Sequence, residues 1–449
     1  MSIVSVLSDY ISTAVARPLP EDVQDAASRH TLDTLAAIVS GSVLPAGEAG
    51  IRYAWRQPRA DEAMVIGSEF TASAGDAALA NAMSGHADET DDSHEFSLTH
   101  PGCGIVPTAL AVAEREGRSG EEFLRAVALG YDICGRITRA AWPDRPAMRA
   151  QHHSTHAIGP IWGAAAAAAS LASLEADRIP YVLSYTAQQT AGLRTMLRDG
   201  PDHIEKAFVF GGMAASNALR TIGFIEAGWT GVDDVFTGFP NFFDAFGKDS
   251  DPEFLISELG SRFVIAQTNL KRFSIGSPAQ APIQGVVDLL RDEGLDKRDV
   301  SLVRVRMSRS LGAVVSDRGM PNINLEYLVS AALADGDLSF AASHDTRRFE
   351  VWQADRDPRV VIELDEAIEP TLQAFVRIEM SDGRVFERHE TEVRGTGANP
   401  MPTDEVVAKA LDLCAPVLGE DVSRELIERV MDPRRIGNVR DLRPLLMLP

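Results

Sequence analysis

The sequence predicts a mainly α fold, in which a large all-helical domain carries an inserted, smaller α+β lid domain. Apolar residues recur with the helical period through about the first 260 residues and again near the C-terminal end. Between these parts the period changes to the alternation of strands, and a stretch with glycine and proline marks the return to helix. We expect residues 1–268 and 397–449 to form the helical domain, residues 269–396 to form the lid, and a ligand cleft between them.

Apolar stripes and capping residues indicate the helices of the first part. In "TLDTLAAIVSG", Leu32 and Leu35 fall on one helical face. Ser119 and Glu122 form a capping-box pattern at the start of a second apolar stripe. The segment "IWGAAAAAASLASL" is apolar on all sides and has very small side chains. That composition is typical of a buried helix that its neighbours approach closely.

The inserted part shows strand patterns. "SLVRVRMS" places Val303 and Val305 opposite Arg304, which predicts a half-buried strand. "AFVRIEMSDGRVFER" predicts two strands joined by a turn at Asp382 and Gly383. Helices are predicted at "QGVVDLLRDEG", before the first strand, and at "NLEYLVSAALADG", after it. Together these elements predict an α+β unit.

Composition excludes several classes of partner. The formal net charge of −22 predicts repulsion from nucleic acid and from anionic membrane surfaces. The three cysteines have no CxxC spacing, which indicates reduced thiols and a cytoplasmic location. The N-terminus lacks a basic leader, and the chain has no uncharged apolar run of about 18 residues. We therefore expect a small-molecule partner, with no binding to nucleic acid and no membrane span.

Titratable side chains are concentrated in two segments. Six of the ten histidines fall in "GHADETDDSHEFSLTHPG" (85–102) and "QHHSTHAIGP" (151–160). Both segments are predicted to be loops beside buried helices of small residues, which is where catalytic groups usually lie. The chain has only five lysines, and two of them, Lys206 and Lys271, stand beside glycine-rich turns rather than on polar helix faces.

Three interpretations of these clusters are open. A metal site has suitable donors, but the chain lacks HExxH, and His152 and His156 share a face only if their segment is helical. A structural role would have these side chains cap helices and bond to one another. Acid–base chemistry on a small anion needs a histidine base and fixed cations to hold carboxylates and an enolate. Both clusters taken together with both lysines favour the third interpretation.

Several segments resemble the MmgE/PrpD family, which includes 2-methylcitrate dehydratase, cis-aconitate decarboxylase and iminodisuccinate epimerase. In order along nearly the whole chain they are "HADETDDSHEFSLTHPGCGIVPTALAVAE", "HHSTHAIGPIWGAAAAAASL", "EKAFVFGGMAASNALRTIGFIEAGWTG", "KRFSIGSPAQAPIQGVVDLL", "NLEYLVSAALADG" and "NPMPTDEVVAKALDL". The resemblance implies a helical domain with an α+β lid, a homodimer, and a site between the domains that uses no metal and no organic cofactor.

The resemblance also implies which residues form the site. It assigns to the site Asp91, Asp92, Ser93, His100, His153, Lys206, Lys271 and Tyr327. Two positions depart from the family pattern. Glu89 stands where the family loop has aspartate, and Lys206 is displaced by one residue from a simple alignment.

We expect a small di- or tricarboxylate to bind in the cleft. Its predicted ligands are Lys206, Lys271, Ser93 and Thr155, with Glu89 and Asp92 beside them. Either His100 or His153 would abstract a proton α to a carboxylate, and the other histidine or Tyr327 would act as the acid. Asp91 would orient a histidine and raise its basicity.

The enolate-like intermediate can lose water, be reprotonated or follow decarboxylation. The best-known activity of the family favours a hydro-lyase resembling 2-methylcitrate dehydratase. An epimerase or isomerase and a decarboxylase are the alternatives with the same intermediate. A metal-dependent hydrolase and a non-catalytic carboxylate-binding module are the alternatives outside this chemistry.

Overall fold

The protein is mainly α-helical, with 59% of its residues in helices and 9% in strands, as predicted. The computed structural model describes residues 2–198 and 202–448. The helices of the first part are α1 (Ile3–Thr13), α2 (Glu21–Gly41), α3 (Pro45–Trp55), α4 (Ala74–Gly85), α5 (Gly102–Glu116), α6 (Gly120–Ala141), α7 (Arg145–Ala150), α8 (Thr155–Leu171), α9 (Ile179–Gln188), α10 (Ile204–Ala207), α11 (Met213–Glu226) and α12 (Phe242–Phe246). The capping box predicted at Ser119 and Glu122 begins α6.

The first part also contains a short pair of strands beside its helices. Ala63–Met64 (β1) and Thr71–Ala72 (β2) form a short antiparallel pair. The segment 151–160 is not wholly loop, since α8 begins at Thr155. Pro160 lies inside α8, where it removes only one backbone donor and the helix continues.

The inserted part contains one four-stranded sheet. Its strands are β3 (Val300–Ser308), β4 (Val360–Asp365), β5 (Ala374–Met380) and β6 (Val385–Glu390), in the order β4-β3-β5-β6. Strand β3 is parallel to β4 and antiparallel to β5, and β5 and β6 form the predicted hairpin. The helices of this part are α13 (Gln280–Asp292), α14 (Arg309–Val315), α15 (Leu325–Asp335), α16 (Phe340–His344) and α17 (Thr346–Ala354). Helices α14 to α17 form the crossover that a parallel pair of strands requires.

Strand β4 is the strand that the sequence pattern does not reveal. It is an edge strand, and each of its six residues is partly exposed. Because neither face of the strand is fully buried, "VVIELD" lacks the strict alternation of apolar and polar residues that marks β3 and β5.

The buried apolar side chains form two large, separate cores. One contains side chains from the first part up to Leu270 and again from Met401 onward. The other contains side chains between Phe273 and Val393. The last helices, α18 (Thr403–Leu418), α19 (Glu420–Met431) and α20 (Arg443–Leu446), therefore pack into the helical core and not into the lid.

One helical stretch in the described part of the chain, Ile204–Glu226, has the length and apolarity of a membrane span. Of its most apolar window, 61% is buried inside the fold. A helix that is apolar on most sides is either a membrane span or a buried core helix. The burial of this stretch is that of a core helix.

The small-residue helix α8 packs directly against α6. A Cβ atom added at Gly163 would lie 2.4 Å from the carbonyl oxygen of Gly130. We expect Gly163→Ala to lower the free energy of unfolding by about 1–3 kcal/mol, the usual cost of overpacking a core. Gly223 on α11 is the matched control, because its added Cβ would meet nothing within 4 Å.

Gly223→Ala should leave the free energy of unfolding unchanged or raise it by up to about 1 kcal/mol, since alanine is the better helix former. Urea denaturation of the two variants beside the wild type measures both values. Equal effects of the two substitutions would contradict the close packing of α6 and α8.

Candidate active site

A cleft of about 510 Å³ lies between loop 86–101 and the inserted domain. The loop joins α4 to α5, and helices α8 and α10 stand beside it. The helical domain contributes to the lining Glu89, Ser93, His100, Thr155, His156, Lys206 and Phe210, among others. The inserted domain contributes Ser277, Pro278, Ser310, Val314 and Arg318, among others. Both domains therefore form walls of this cleft.

Asp91 is the charged centre of the loop and is fully buried. Its Oδ1 atom lies 3.0 Å from Nδ1 of His86 and 3.3 Å from Nδ1 of His100. Lys271 Nζ is 3.7 Å from the same oxygen. Burial alone would raise the pKa of Asp91, but His86, His100 and Lys271 hold that pKa well below its ordinary value. Asp91 is therefore an anion, and it turns Nδ1 of His100 inward and leaves Nε2 for the cleft.

Three histidines and one phenylalanine form a ring cluster beside the cleft. The ring centroids of His100 and His156 are 5.3 Å apart. Both His86 and His156 stack on Phe210, at centroid distances of 4.2 Å and 4.3 Å. Phe210 belongs to a π-helical turn, Phe208–Gly212, between α10 and α11. Such turns occur frequently at functional sites.

His100 and His156 are neutral bases near pH 7. Burial lowers the pKa of His100 below its usual 6.5, and the opposing charge of Asp91 does not restore it. Burial, with His100 and Lys206 nearby, lowers the pKa of His156 still further. A neutral imidazole can accept a proton, so both rings are suited to act as bases.

Glu89 lies between two lysines. Its carboxylate forms an ion pair with Lys206 Nζ, and its other oxygen lies 3.9 Å from Lys271 Nζ. Lys271 also donates a hydrogen bond of 2.7 Å to the Glu89 carbonyl oxygen. Burial would raise the pKa of Glu89, but Lys206 and Lys271 hold it below its ordinary range. Glu89 is therefore ionised, and it fixes the Lys206 ammonium at the wall of the cleft.

A third lysine, Lys409 on α18, also holds this loop. Its Nζ donates to Asp33 Oδ1 at 2.7 Å and to the Thr90 carbonyl oxygen at 3.0 Å. Three of the five lysines thus act on residues 89–91. The sequence does not single out Lys409 as a site residue, although the scarcity of lysine is a signal that applies to it equally.

Ser93 and Thr155 line the cleft, and both are anchored by the backbone. Ser93 exchanges backbone hydrogen bonds of 2.9 Å and 2.8 Å with Asn269, at the junction to the inserted domain. The Thr155 hydroxyl donates to the Leu98 carbonyl oxygen at 2.6 Å. These contacts hold two hydroxyl-bearing residues at fixed positions in the cleft wall.

Domain models of one family match most of this chain. The MmgE/PrpD N-terminal domain matches residues 5–255, and the MmgE/PrpD C-terminal domain matches residues 273–432. The chain belongs to the MmgE/PrpD family. Its members are generally enzymes, among them dehydratases, decarboxylases and epimerases. Membership of the MmgE/PrpD family supports a lyase-like function for this protein.

Asp92 does not face the cleft, although the sequence predicts that it binds substrate. It is fully buried, and its carboxylate accepts hydrogen bonds from Tyr131 Oη at 2.6 Å, His30 Nδ1 at 2.9 Å and Gly102 N at 3.0 Å. These partners use both carboxylate oxygens. In this MmgE/PrpD protein Asp92 attaches the loop to the helical core.

Lys271 lies behind the loop and not at the cleft surface. Only 2% of its side chain is exposed, and it is absent from the lining of the cleft. Its ammonium group acts on Glu89 and Asp91. This departs from the prediction that Lys271 binds substrate directly and makes it a residue that positions the loop.

His153 and Tyr327 also lie outside the cleft, which corrects both predictions. His153 precedes α8, where its backbone bridges to Leu193 and its ring lies 5.1 Å from that of Phe246. His156, in the first turn of α8, lines the cleft instead. Tyr327 is buried in the core of the lid, where its hydroxyl donates to the Ala342 carbonyl oxygen at 2.7 Å. Burial raises the pKa of Tyr327 to about 12.

One group of donors in the described residues could surround a metal ion, formed by His86, Asp91 and Cys103. Their ligand atoms lie within 4.8 Å of one another, and all three side chains are buried. Lys271 Nζ, 3.7 Å from Asp91, already supplies a positive charge there. Burial and the Asp91 charge raise the pKa of the Cys103 thiol well above its ordinary value, so the sulfur stays protonated. His86, His100 and Lys271 therefore balance the charge of Asp91 through close polar contacts.

The contact of Lys409 with Asp33 gives a test of how the loop is held. Lys409→Met leaves the buried carboxylate of Asp33 without its cation, so we expect the free energy of unfolding to fall by about 3–5 kcal/mol. The double variant Asp33→Asn with Lys409→Met should recover part of that loss, because no buried charge remains unpaired. Urea denaturation gives both values.

Lys248→Met is the matched control, since this lysine is exposed and makes no side-chain hydrogen bond in the described part of the chain. It should leave stability unchanged. A Lys409→Met protein as stable as Lys248→Met would contradict the role assigned to Lys409.

Proposed function

We propose that this protein is a lyase that removes a proton α to a carboxylate of a small di- or tricarboxylate, without a cofactor. The outcome that we propose is the loss of water, as in 2-methylcitrate dehydratase. One observation carries the proposal: a neutral His100, held at Nδ1 by the buried Asp91 anion, faces a cleft that also contains Lys206 and hydroxyl groups. Membership of the MmgE/PrpD family supports it.

The reacting carboxylate would lie against Lys206 and Ser93, beside Thr155, whose hydroxyl proton is already donated to Leu98. Lys206 is already paired with Glu89, so its ammonium group is held in place before the substrate arrives. A cation fixed in this way needs little reorganisation when negative charge moves onto the carboxylate. The resulting enolate-like dianion is the species that the site must stabilise.

His100 would act as the base. Its Nε2 takes the α-proton as the C–H bond breaks, and the electron pair passes into the carboxylate. The imidazolium that forms is stabilised by Asp91 on the other side of the ring. As the carbon–carbon double bond forms, the C–O bond to the neighbouring hydroxyl breaks, and the protonated His100 can return its proton to the departing oxygen to give water.

His156 is the second base that the cleft contains. Its ring centroid lies 5.3 Å from that of His100, so a substrate between or beside the rings is within reach of both. Reprotonation of the same enolate from a different direction would give an epimerase instead of a dehydratase. This second candidate rests on the adjacent pair of neutral histidines.

We propose a homodimer in the cytoplasm as the working form. A second copy of this chain is its protein partner, and a small carboxylate is its ligand. The metal-dependent hydrolase would be supported by loss of activity on treatment with a chelator and recovery on return of the metal. The binding module would be supported by tight binding of an acid with neither exchange nor conversion.

The decisive experiment is incubation in deuterated buffer with citrate-, aconitate- and aspartate-like acids. We expect deuterium at the α-carbon together with an unsaturated product that absorbs in the ultraviolet. His100→Ala should slow both by about 10²–10⁴-fold, the usual contribution of a general base. Exchange without net conversion would favour the epimerase.

His153→Ala is the matched control, because that ring lies outside the cleft lining. Its exchange and conversion rates should equal those of the wild type. If no acid exchanges or converts, or if His100→Ala keeps full activity, the proposed function is wrong.

The pH dependence tests which group is the base. His100 must be neutral to accept a proton, and its pKa lies below 6.5, so kcat/KM should be constant above pH 6.5 and fall only at lower pH. Asp91 raises the pKa of His100, so Asp91→Asn should move the acid limb of the profile to still lower pH while it reduces kcat. An acid limb above pH 6.5, or a shift in the opposite direction, would contradict the assignment.

A further inference from the structure

A group of arginines lines one side of the cleft, although the chain carries a net charge of −22. Arg145 and Arg149 lie one turn apart on α7, and Arg194 lies in the turn that follows α9. Like charges four residues apart on one helix destabilise it. Their concentration at a cleft wall therefore calls for an anion.

The described residues provide few carboxylate partners for these three arginines. Arg145 forms an ion pair with Glu95. Arg194 donates to the backbone carbonyl oxygens of Arg149 and Gln151, which carry no net charge. The Arg149 guanidinium forms no ion pair or hydrogen bond within residues 2–198 and 202–448. Burial and the neighbouring Arg145 lower the pKa of Arg149, and the attraction of the Glu95 carboxylate offsets this only in part.

The same arginines also face a groove outside the cleft. Arg149 and Arg194 line a depression of about 410 Å³ together with His152 and Arg198. Arg198 also lines an adjoining cavity of about 310 Å³ that shares Glu89 and Lys206 with the cleft. Arg149 and Arg194 thus stand where the cleft meets the surface, in the path of an anionic ligand that enters from this side.

We propose that Arg145, Arg149 and Arg194 form a carboxylate-binding site for the end of the substrate that does not react. This inference rests on the proposed function and deepens it: the substrate carries one carboxylate at the carbon that His100 deprotonates and at least one more that reaches α7. A guanidinium group is planar and binds a carboxylate through two parallel hydrogen bonds. Arg149, which has no protein partner in the described chain, is the residue that determines specificity.

This arrangement separates binding from chemistry. A distal carboxylate held at α7 fixes the position of the reacting carbon relative to His100 without touching the atoms that react. A monocarboxylate lacks that contact, so it leaves Arg149 without an anion. Arg149 should therefore contribute to the affinity for di- and tricarboxylates and not to that for monocarboxylates.

Isothermal titration with tricarballylate tests the site directly. This tricarboxylate has no hydroxyl group and cannot be dehydrated, so it measures binding alone. We expect Arg149→Gln to raise its Kd by about 10–100-fold, the usual effect of losing a hydrogen bond between charged groups. Arg149→Lys should lie between that variant and the wild type. Butyrate, a monocarboxylate, should bind equally to all three proteins.

Arg220→Gln is the matched control. It removes the same charge from an exposed position on α11, and Arg220 lines neither the cleft nor the outer groove. Its Kd for tricarballylate should equal that of the wild type. With a turned-over di- or tricarboxylate, Arg149→Gln should raise KM and largely keep kcat. Thermal unfolding of each variant confirms that it is folded.

The outcomes separate this proposal from the proposed function. Unchanged tricarballylate binding by Arg149→Gln, or equal weakening by Arg220→Gln, would overturn the arginine site even if the enzyme deprotonates its substrates. Binding that depends on Arg149, in a protein that exchanges and converts no acid, would support the site and overturn the lyase. A wild-type protein that binds no polycarboxylate would overturn both.

Discussion

Four carboxylates of one short loop are buried, and the fold is arranged to compensate their charge. Asp88, Glu89, Asp91 and Asp92 are each at most 4% exposed. A buried charge that lacks a partner costs about 3–5 kcal/mol, so each needs a cation or donors. The partners come from several elements. His30 lies on α2, Tyr131 on α6, Lys206 on α10 and His344 on α16. His86 directly follows α4, and Lys271 lies at the junction before α13. Distant parts of the chain must therefore meet at this loop.

That compensation also determines the chemistry available at the loop. Because Asp91 is held as an anion by His86, His100 and Lys271, it orients the His100 ring before any substrate binds. The same lack of water keeps His100 neutral and ready to accept a proton. The lid takes part through His344, whose Nε2 lies 2.9 Å from Asp88. The contact between the lid and the helical domain thus also compensates a charge of this loop.

The sequence predicts correctly those helices whose position is set by residues close together in the chain. The stripe at Leu32 and Leu35 and the capping box at Ser119 indicate helices because their spacing alone determines which face is buried. The sequence singles out the loop and His100 because titratable groups are crowded there in an apolar setting, and both line the cleft. The remaining positions depend on tertiary packing. Whether His153 or His156 reaches the cleft is decided by where α8 begins, and whether Tyr327 faces the cleft or the lid core is decided by the orientation of α15.

The cations of the cleft differ in what they can contribute to a reaction. The charge of Lys206 is neutralised by Glu89 before the substrate binds. A carboxylate that binds there therefore gains a fixed hydrogen-bond donor but little net electrostatic attraction. Arg149 forms no ion pair or hydrogen bond in the described residues and is only partly offset by Glu95, so an anion that arrives there gains more electrostatic attraction. Attraction at a remote carboxylate can hold the substrate. Lys206, already paired with Glu89 near His100, can then stabilise the negative charge that develops in the transition state. A site with both kinds of cation can bind a polycarboxylate firmly and still leave its reacting carbon free to change.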